Sequence, residues 1–301
     1  MAIGKERQGM GWIPDYPDIR DYTEGHEEVK KFLEPGRRNR ALKVPAAVDL
    51  SEWCSPVENQ GQLGSCTAQA GAGVIEYYER KSFGKHLEAS RLFLYKATRN
   101  LMRSTGDSGA FLRSTMGAMV LFGVPPETYW PYSDQEDKFD REPPAFCYAF
   151  AQNFQAVKYF RHDPPGTRPE TLLAKLKACL AQGHPAMFGF TVYDSIEQAG
   201  RTGRIPFPSP RENAVGGHAI VAVGYDDRMK ITNKYGGAAC AKASAPGAAT
   251  TGALKIRNSW GEDWGEQGYG YLPYDFVLRG LAQDFWSVLK KEWIDTGEFS
   301  Q

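Results

Sequence analysis

The apolar residues of this chain change their period partway along it, and such a chain must join a helical part to a sheet around a shared core. Before residue 125 they recur at helical spacing. The run SCTAQAGAGVIEYYERKSFG puts Ala70, Val74 and Tyr78 on one face, with Ser65 as N-cap and Gly84 past the end, so that Cys66 is the first helical residue. A second helix fits residues 90–102. A third fits 111–122, where Leu112, Met116, Met119 and Val120 form a stripe closed by Gly123, Pro125 and Pro126. Thr167 to Glu170 reads as a capping box for a fourth helix that turns Leu172, Leu176, Cys179 and Leu180 inward, which makes Cys179 a core residue. After Gly183 the pattern becomes that of strands: AMFGFTVYD, HAIVAVGYDD, ALKIRNSW and GYGYLPY, separated by glycine-rich or polar turns. Residues 228–252 contain a Gly/Ala/Thr/Lys-rich stretch that reads as a surface loop, with Cys240 exposed on it. The fold class is therefore α+β.

With 301 residues, 42% of them hydrophobic, the chain can bury a sizeable core. Its 36 basic residues match its 36 acidic ones, so no long-range field favours nucleic acid or an anionic membrane as partner. No stretch approaches the roughly 18 apolar residues of a membrane span. The start, MAIGKERQGMGWIPDYPDIRDY, lacks an apolar leader, so a cytoplasmic protein is expected, with signal-independent secretion left open. Cys54, Cys66, Cys147, Cys179 and Cys240 are odd in number and none is in a C-x-x-C spacing; reduced thiols and no metal follow.

Residues 1–46 are charged and rich in proline and glycine, running through Glu27, Glu28, Lys30 and Lys31 to Arg37, Arg38 and Arg40. Two readings stand side by side: an arm lying on the main domain, or a short pro-segment covering a cleft in cis. A solvated charge run is the plainer account of Arg37 to Arg40.

Cys66 carries the first chemical argument, because a thiol in the first turn of a helix feels the partial positive charge of unsatisfied amides, which favours thiolate. Acyl transfer by a thiolate also needs a proton carrier, a group to orient it, and donors for the tetrahedral oxyanion. His218 opens the strand HAIVAVGYDD behind two glycines that leave room for its ring. Asn258 ends ALKIRN, where its amide oxygen can accept an imidazole N–H and fix the tautomer. Trp260 lies two residues on, on the same face while the strand continues, and can roof that bond. Gln60, six residues before Cys66, can return its amide toward the sulfur beside the Cys66 N–H. The bland alternatives are a small buried cysteine, a core histidine satisfied by backbone, and a turn glutamine.

In family order, PVENQGQLGSCTAQA resembles the nucleophile segment of papain-like (C1) cysteine peptidases, GGHAIVAVGYD their histidine strand, and RNSWGEDWGEQGYGYL their asparagine segment. The resemblance implies a helical domain carrying Cys66 and a β-barrel-like domain carrying His218 and Asn258, with the cleft between them. It also implies a Cys66 thiolate and His218 imidazolium pair, Gln60 in the oxyanion hole, peptide or protein substrates and no cofactor. Leu63 stands where many secreted relatives have a disulfide cysteine, and Thr67 where a tryptophan is usual; PDYPDIRDY is similar to the arm of the bacterial and archaeal branch. By position in GDSGAF, Ser108 and Gly109 are expected at the cleft edge that binds substrate backbone, and Gly189 and Gly217 near the main specificity pocket, roomy enough for a bulky apolar or aromatic side chain.

The organisation expected is an arm over 1–46, a peptidase domain over 47–285 whose helical part is about 60–145 and β-rich part about 183–285, and a tail over 286–301. Two other functions compete: transpeptidase-like acyl transfer on the same site, and a non-catalytic papain-fold binding module. A nucleotide site is disfavoured because GYGYL follows no P-loop lysine, and Tyr129 to Tyr132 read as packing.

Overall fold

The computed structural model describes residues 8–33, 44–84, 87–234 and 249–293; the cluster Arg37 to Arg40, Cys240 and most of the expected 228–252 loop lie outside them. In chain order the elements are β1 (Trp12–Ile13), α1 (Glu27–Leu33), β2 (Ala47–Asp49), α2 (Cys66–Phe83), α3 (Arg91–Leu101), β3 (Ala110–Phe111), α4 (Leu112–Leu121), α5 (Glu136–Phe139) and α6 (Ala145–Ala151). The sheet-forming half follows with β4 (Phe154–Arg161), α7 (Pro169–Ala181), β5 (Ala186–Tyr193), β6 (Ala214–Ile231), β7 (Thr250–Arg257), β8 (Tyr269–Pro273), α8 (Tyr274–Leu278) and β9 (Ala282–Trp293).

Seven strands make one antiparallel sheet in the order β4-β9-β5-β6-β7-β8, with β2 added against β6. It stays open: among the described residues β4 and β8 do not pair, so the expected barrel-like half is a sheet with free ends. The sheet also draws on segments assigned elsewhere by sequence. Residues 286–293 of the expected tail belong to β9, which pairs with β4 and β5, and β2 and β4 come from outside the expected 183–285 span.

Helix α2 is buried on every side from Cys66 to Tyr77, which explains its run of Ala and Gly. A side chain at Gly71 would press on Leu94 and Met119 at 3.0 Å, and one at Gly73 would meet the Arg257 guanidinium at 2.7 Å. The helix ends at Gly84, left-handed at φ 69°, whose N–H bonds Arg80 O. Ser65 sits at its N-cap position without capping it; at φ −91° and ψ 13° its hydroxyl meets Tyr132 Oη at 2.7 Å instead. Nor does the capping box of α7 form. Pro169 is the first helical residue and keeps Arg168 extended, so the cap falls on Arg168 and Thr167 bonds Pro164 O.

A buried polar chain fastens α2 to the sheet. Arg257, at the end of β7, donates to Ser55 Oγ at 3.0 Å and Pro56 O at 2.6 Å; Ser55 donates to Glu76 of α2, which also accepts from Ala89 N at 2.9 Å. Glu76→Ala leaves two buried donors without an acceptor. It is expected to cost about 2–4 kcal/mol, read as a lowered midpoint of urea unfolding, with the exposed Glu262→Ala as the near-neutral control.

Candidate active site

Cys66, His218, Asn258 and Gln60 meet where the first turn of α2 faces the middle of β6 and the end of β7, and all four are buried. His218 does not open its strand. Gly216 and Gly217 before it already pair with Val192 and Thr191 of β5, so β6 begins at Ala214. Asn258 follows β7, and its Oδ1 lies 2.8 Å from His218 Nε2 while also accepting from Ser259 N at 2.9 Å. With Nε2 held there, His218 Nδ1 has no partner among the described residues. The chain has left the strand by Trp260, yet the indole reaches the expected place: it stacks on the His218 ring at 4.6 Å and 23°, and Trp264 stands edge-on to it at 5.7 Å.

Gln60 is held on both sides. Its backbone N–H donates to Ser259 O at 2.9 Å, and its Oε1 accepts from Ser259 Oγ at 2.6 Å. This fixes which end of the amide faces the cleft. Nε2 points inward, donating to Leu63 O at 2.8 Å and Gly9 O at 3.1 Å. Ser259 is a residue that sequence reasoning passed over, although it lies between two residues it had singled out.

Gly9 belongs to the N-terminal segment, which runs through the cleft. Gly9 N donates to Gly61 O at 2.9 Å, the Gly11 amide stands by the Cys66 sulfur, and Ala110 N donates to Gly11 O at 2.7 Å. The cleft-edge bond is thus made by Ala110, one residue beyond the Ser108 and Gly109 expected for it. Ser108 is exposed, while Gly109 lies against the Gly11 carbonyl, where a Cβ would come within 2.4 Å. Trp12 and Ile13 pair in parallel with Ala110 and Phe111. The Trp12 indole occupies the space beside Gly189 and Gly217, as a Cβ on Gly189 would lie 1.9 Å from the ring and one on Gly217 2.5 Å from Trp12 O. Its Nε1 donates to Asp284 Oδ2 at 3.2 Å.

Two thirds of this chain and more, residues 44–281, match the family of papain family cysteine proteases. The chain belongs to that family. It is 31% identical over 294 residues to an uncharacterized peptidase C1-like protein of Acanthamoeba polyphaga mimivirus, covering 93% of this chain and 86% of the relative. Among solved structures it is similar to xylellain, a cysteine protease from Xylella fastidiosa, with 32% identity, a TM-score of 0.73, and 96% of this chain and 97% of that one covered. Mouse cathepsin K is 25% identical over 234 residues, covering 76% of this chain and 60% of its own length. This papain-family chain is accordingly a cysteine peptidase with the papain-like α+β fold, similar to proteins of bacterial and viral origin.

In this peptidase with its arm in place, burial decides the charge state. It pushes the Cys66 thiol up to about 11, opposed by backbone N–H groups of Ala219, Gly11, Thr67 and Cys66 itself. It pushes His218 down to about 4, opposed by the bond to Asn258. Burial thus acts against the charged forms of both members of the expected thiolate and imidazolium pair. Iodoacetamide is expected to alkylate Cys66 of the native full-length chain far more slowly than it alkylates free cysteine, as followed by timed quenching and peptide mapping.

Proposed function

We propose that the chain hydrolyses peptide bonds through an acyl-enzyme on Cys66, and that residues 8–22 hold the enzyme latent by occupying its cleft. The observation that carries the first part is the His218 ring: Nε2 is held by Asn258 Oδ1 at 2.8 Å, Nδ1 is left without a partner, and the next residue along β6, Ala219, sets its N–H against the Cys66 sulfur. In this reading Nδ1 takes the thiol proton as sulfur attacks the carbonyl carbon. Gln60 Nε2 and the Cys66 N–H donate to the oxygen as it becomes an oxyanion. Nδ1 then gives its proton to the leaving amine, and the acyl group stays on sulfur until water, deprotonated by the same nitrogen, releases it as the acid. Asn258 keeps the ring in the tautomer this needs, and Trp260 covers one ring face.

Cys66→Ala is expected to abolish turnover of a peptide substrate while leaving the fold intact, since a small apolar residue suits the site. Asn258→Ala is expected to lower kcat about tenfold or more with little change in KM, because it loosens the base and not the substrate. Initial-rate kinetics on both variants checks this; retained hydrolysis by Cys66→Ala, or a pure KM effect in Asn258→Ala, contradicts the roles. Added amine acceptors that divert the acyl group from water would favour the transpeptidase alternative.

The arm supports the second part because each of its contacts uses a group that a substrate would need. Gly9 O takes Gln60 Nε2, Gly11 O takes Ala110 N, and Trp12 fills the pocket by Gly189 and Gly217. A pocket that admits an indole and ends on the Asp284 carboxylate favours large side chains carrying a donor at the tip.

Docking of the arm is tied to pH by the residues that follow Trp12. Asp15 N donates to Asp284 Oδ2 at 2.8 Å, and the Asp15 carboxylate accepts from Arg113 N and from Trp286 Nε1, both at 3.1 Å. Asp21 pairs with Arg113, while Arg161 pairs with Asp284 and Asp163. Four carboxylates thus face two guanidiniums. Burial pushes Asp15 up to about 6, against the pull of Arg113, and burial followed by the Asp15 charge pushes Asp284 up to about 7. A released arm returns Asp15 to its ordinary range, so docking takes up protons. Docking is strongest below about pH 4–5 and weakens as pH rises through 6 to 7. Peptidase activity of the full-length chain, divided by that of a chain lacking residues 1–22, is expected to rise from pH 5 to pH 8. A ratio near one at every pH would remove the arm from the control of the site, and a ratio well below one but flat would remove the link to pH.

A further inference from the structure

We infer that Asp107, on the exposed loop between α3 and β3, is a positioning residue that keeps the oxyanion donors in register with the edge that binds substrate backbone. The inference rests on the reading of Gln60 as an oxyanion donor.

Asp107 touches two separate segments beside the cleft and reaches a third through Tyr95. Its two oxygens accept the Gly64 N–H at 3.0 and 3.1 Å, and Oδ1 also accepts from Tyr95 Oη at 2.6 Å. The Tyr95 oxygen in turn accepts from Gly109 N at 3.0 Å. Burial, the Asp107 charge and its hydrogen bond all push the Tyr95 phenol upward, so it stays protonated and can act in both directions.

Each end of this relay borders a group that acts on substrate. Gly64 sits between Leu63, whose carbonyl holds Gln60 Nε2 at 2.8 Å, and Ser65, which leads into the Cys66 amide. Gly109 precedes Ala110, whose N–H binds extended backbone at the cleft edge. The approach is close: a Cβ on Gly64 would stand 2.9 Å from Asp107 Oδ1.

The fold does not need Asp107 for packing, since the residue is exposed and reaches these partners from the surface. Its loss therefore acts on the placement of the Gly61–Ser65 turn. When that turn drifts, Leu63 O no longer aims the Gln60 amide, and the donor is misplaced by a fraction of an ångström at the moment the oxyanion forms.

The test uses the full-length chain with Trp12→Ala in every variant, which takes the arm's anchor out of the cleft, and reads two reactions of Cys66. Peptide turnover needs the oxyanion donors; alkylation by iodoacetamide needs only the sulfur and its base. Asp107→Ala is expected to lower turnover about 10- to 100-fold, mainly in kcat, while alkylation changes less than about threefold. Asp107→Asn keeps one acceptor and is expected to recover most of the loss. In a Gln60→Ala background the Asp107→Ala penalty is expected to shrink below about threefold, because both changes remove the same donor. Equal losses in turnover and alkylation, no loss at all, or an undiminished penalty beside Gln60→Ala would each overturn the assignment. A parent that alkylates at Cys66 yet shows no peptide turnover would overturn the proposed function and this assignment with it.

Discussion

Gln60 and Ser259, 199 positions apart, are joined by two hydrogen bonds, backbone to backbone at 2.9 Å and side chain to side chain at 2.6 Å. Almost everything else at the site depends on them. They close the helical half of the chain onto the sheet at the level of the cleft, with the Asn59 and Trp260 bridge beside them. Through Gln60 they set the approach to Cys66, and through Ser259 they set Asn258 and so the plane of His218. The Glu76, Ser55 and Arg257 chain repeats the device one turn deeper. Because both connections are buried and made of paired polar groups, the two halves can approach in one register only; a shifted register would strand donors and acceptors away from water.

The same closeness creates the electrical problem of the site. The thiol and imidazole to which the proposed mechanism gives a proton exchange lie in surroundings that penalise charge on either, and nearby amides offset only part of that penalty. Exposure of the cleft therefore acts as a chemical variable. Burial raises the cost of charge on both groups, and water readmitted to the cleft would lower it. On the proposed reading, a segment lying over the site need not distort a single catalytic atom in order to silence it.

Much of this was readable in the sequence, and the omissions have physical causes. Cys66, His218 and Asn258 were legible because each is a reactive or polar residue at the start or end of an apolar-periodic element, and Gln60 because it stands six residues before Cys66 in a segment that resembles the family's nucleophile motif. The helices were legible where a stripe was broken by Gly84 or Gly123. Strands β4 and β9 were not, since FQAVKYFR and AQDFWSVLKKEW interleave charge with apolar residues, and charges such as Arg161 and Asp284 are buried by pairing with each other across the fold. Gly216 and Gly217 looked like a turn before a strand; they are strand residues whose missing side chains are replaced by Met10 and Trp12 from more than 200 positions away. Trp12 itself carried no local signal, because a lone tryptophan in a proline-rich segment shows its burial only when its partner surface exists. Thr167 failed as a cap because Pro169 moved the start of the helix by one residue.

The pocket beside Gly189 and Gly217 has one more consequence. At Gly189 and Gly217 its wall is bare main chain, and a single methyl group at either place would intrude on the space that Trp12 takes. Trp12 of the arm takes that space, and under the proposed function a substrate side chain would compete for it. A mutation that narrows the range of acceptable peptides must also loosen the arm, and one that widens the cavity must leave the arm a poorer plug. In the proposed latent peptidase, substrate choice and latency would thus be inherited as one trait, and a change of preferred peptide would require residues 8–22 to change with it.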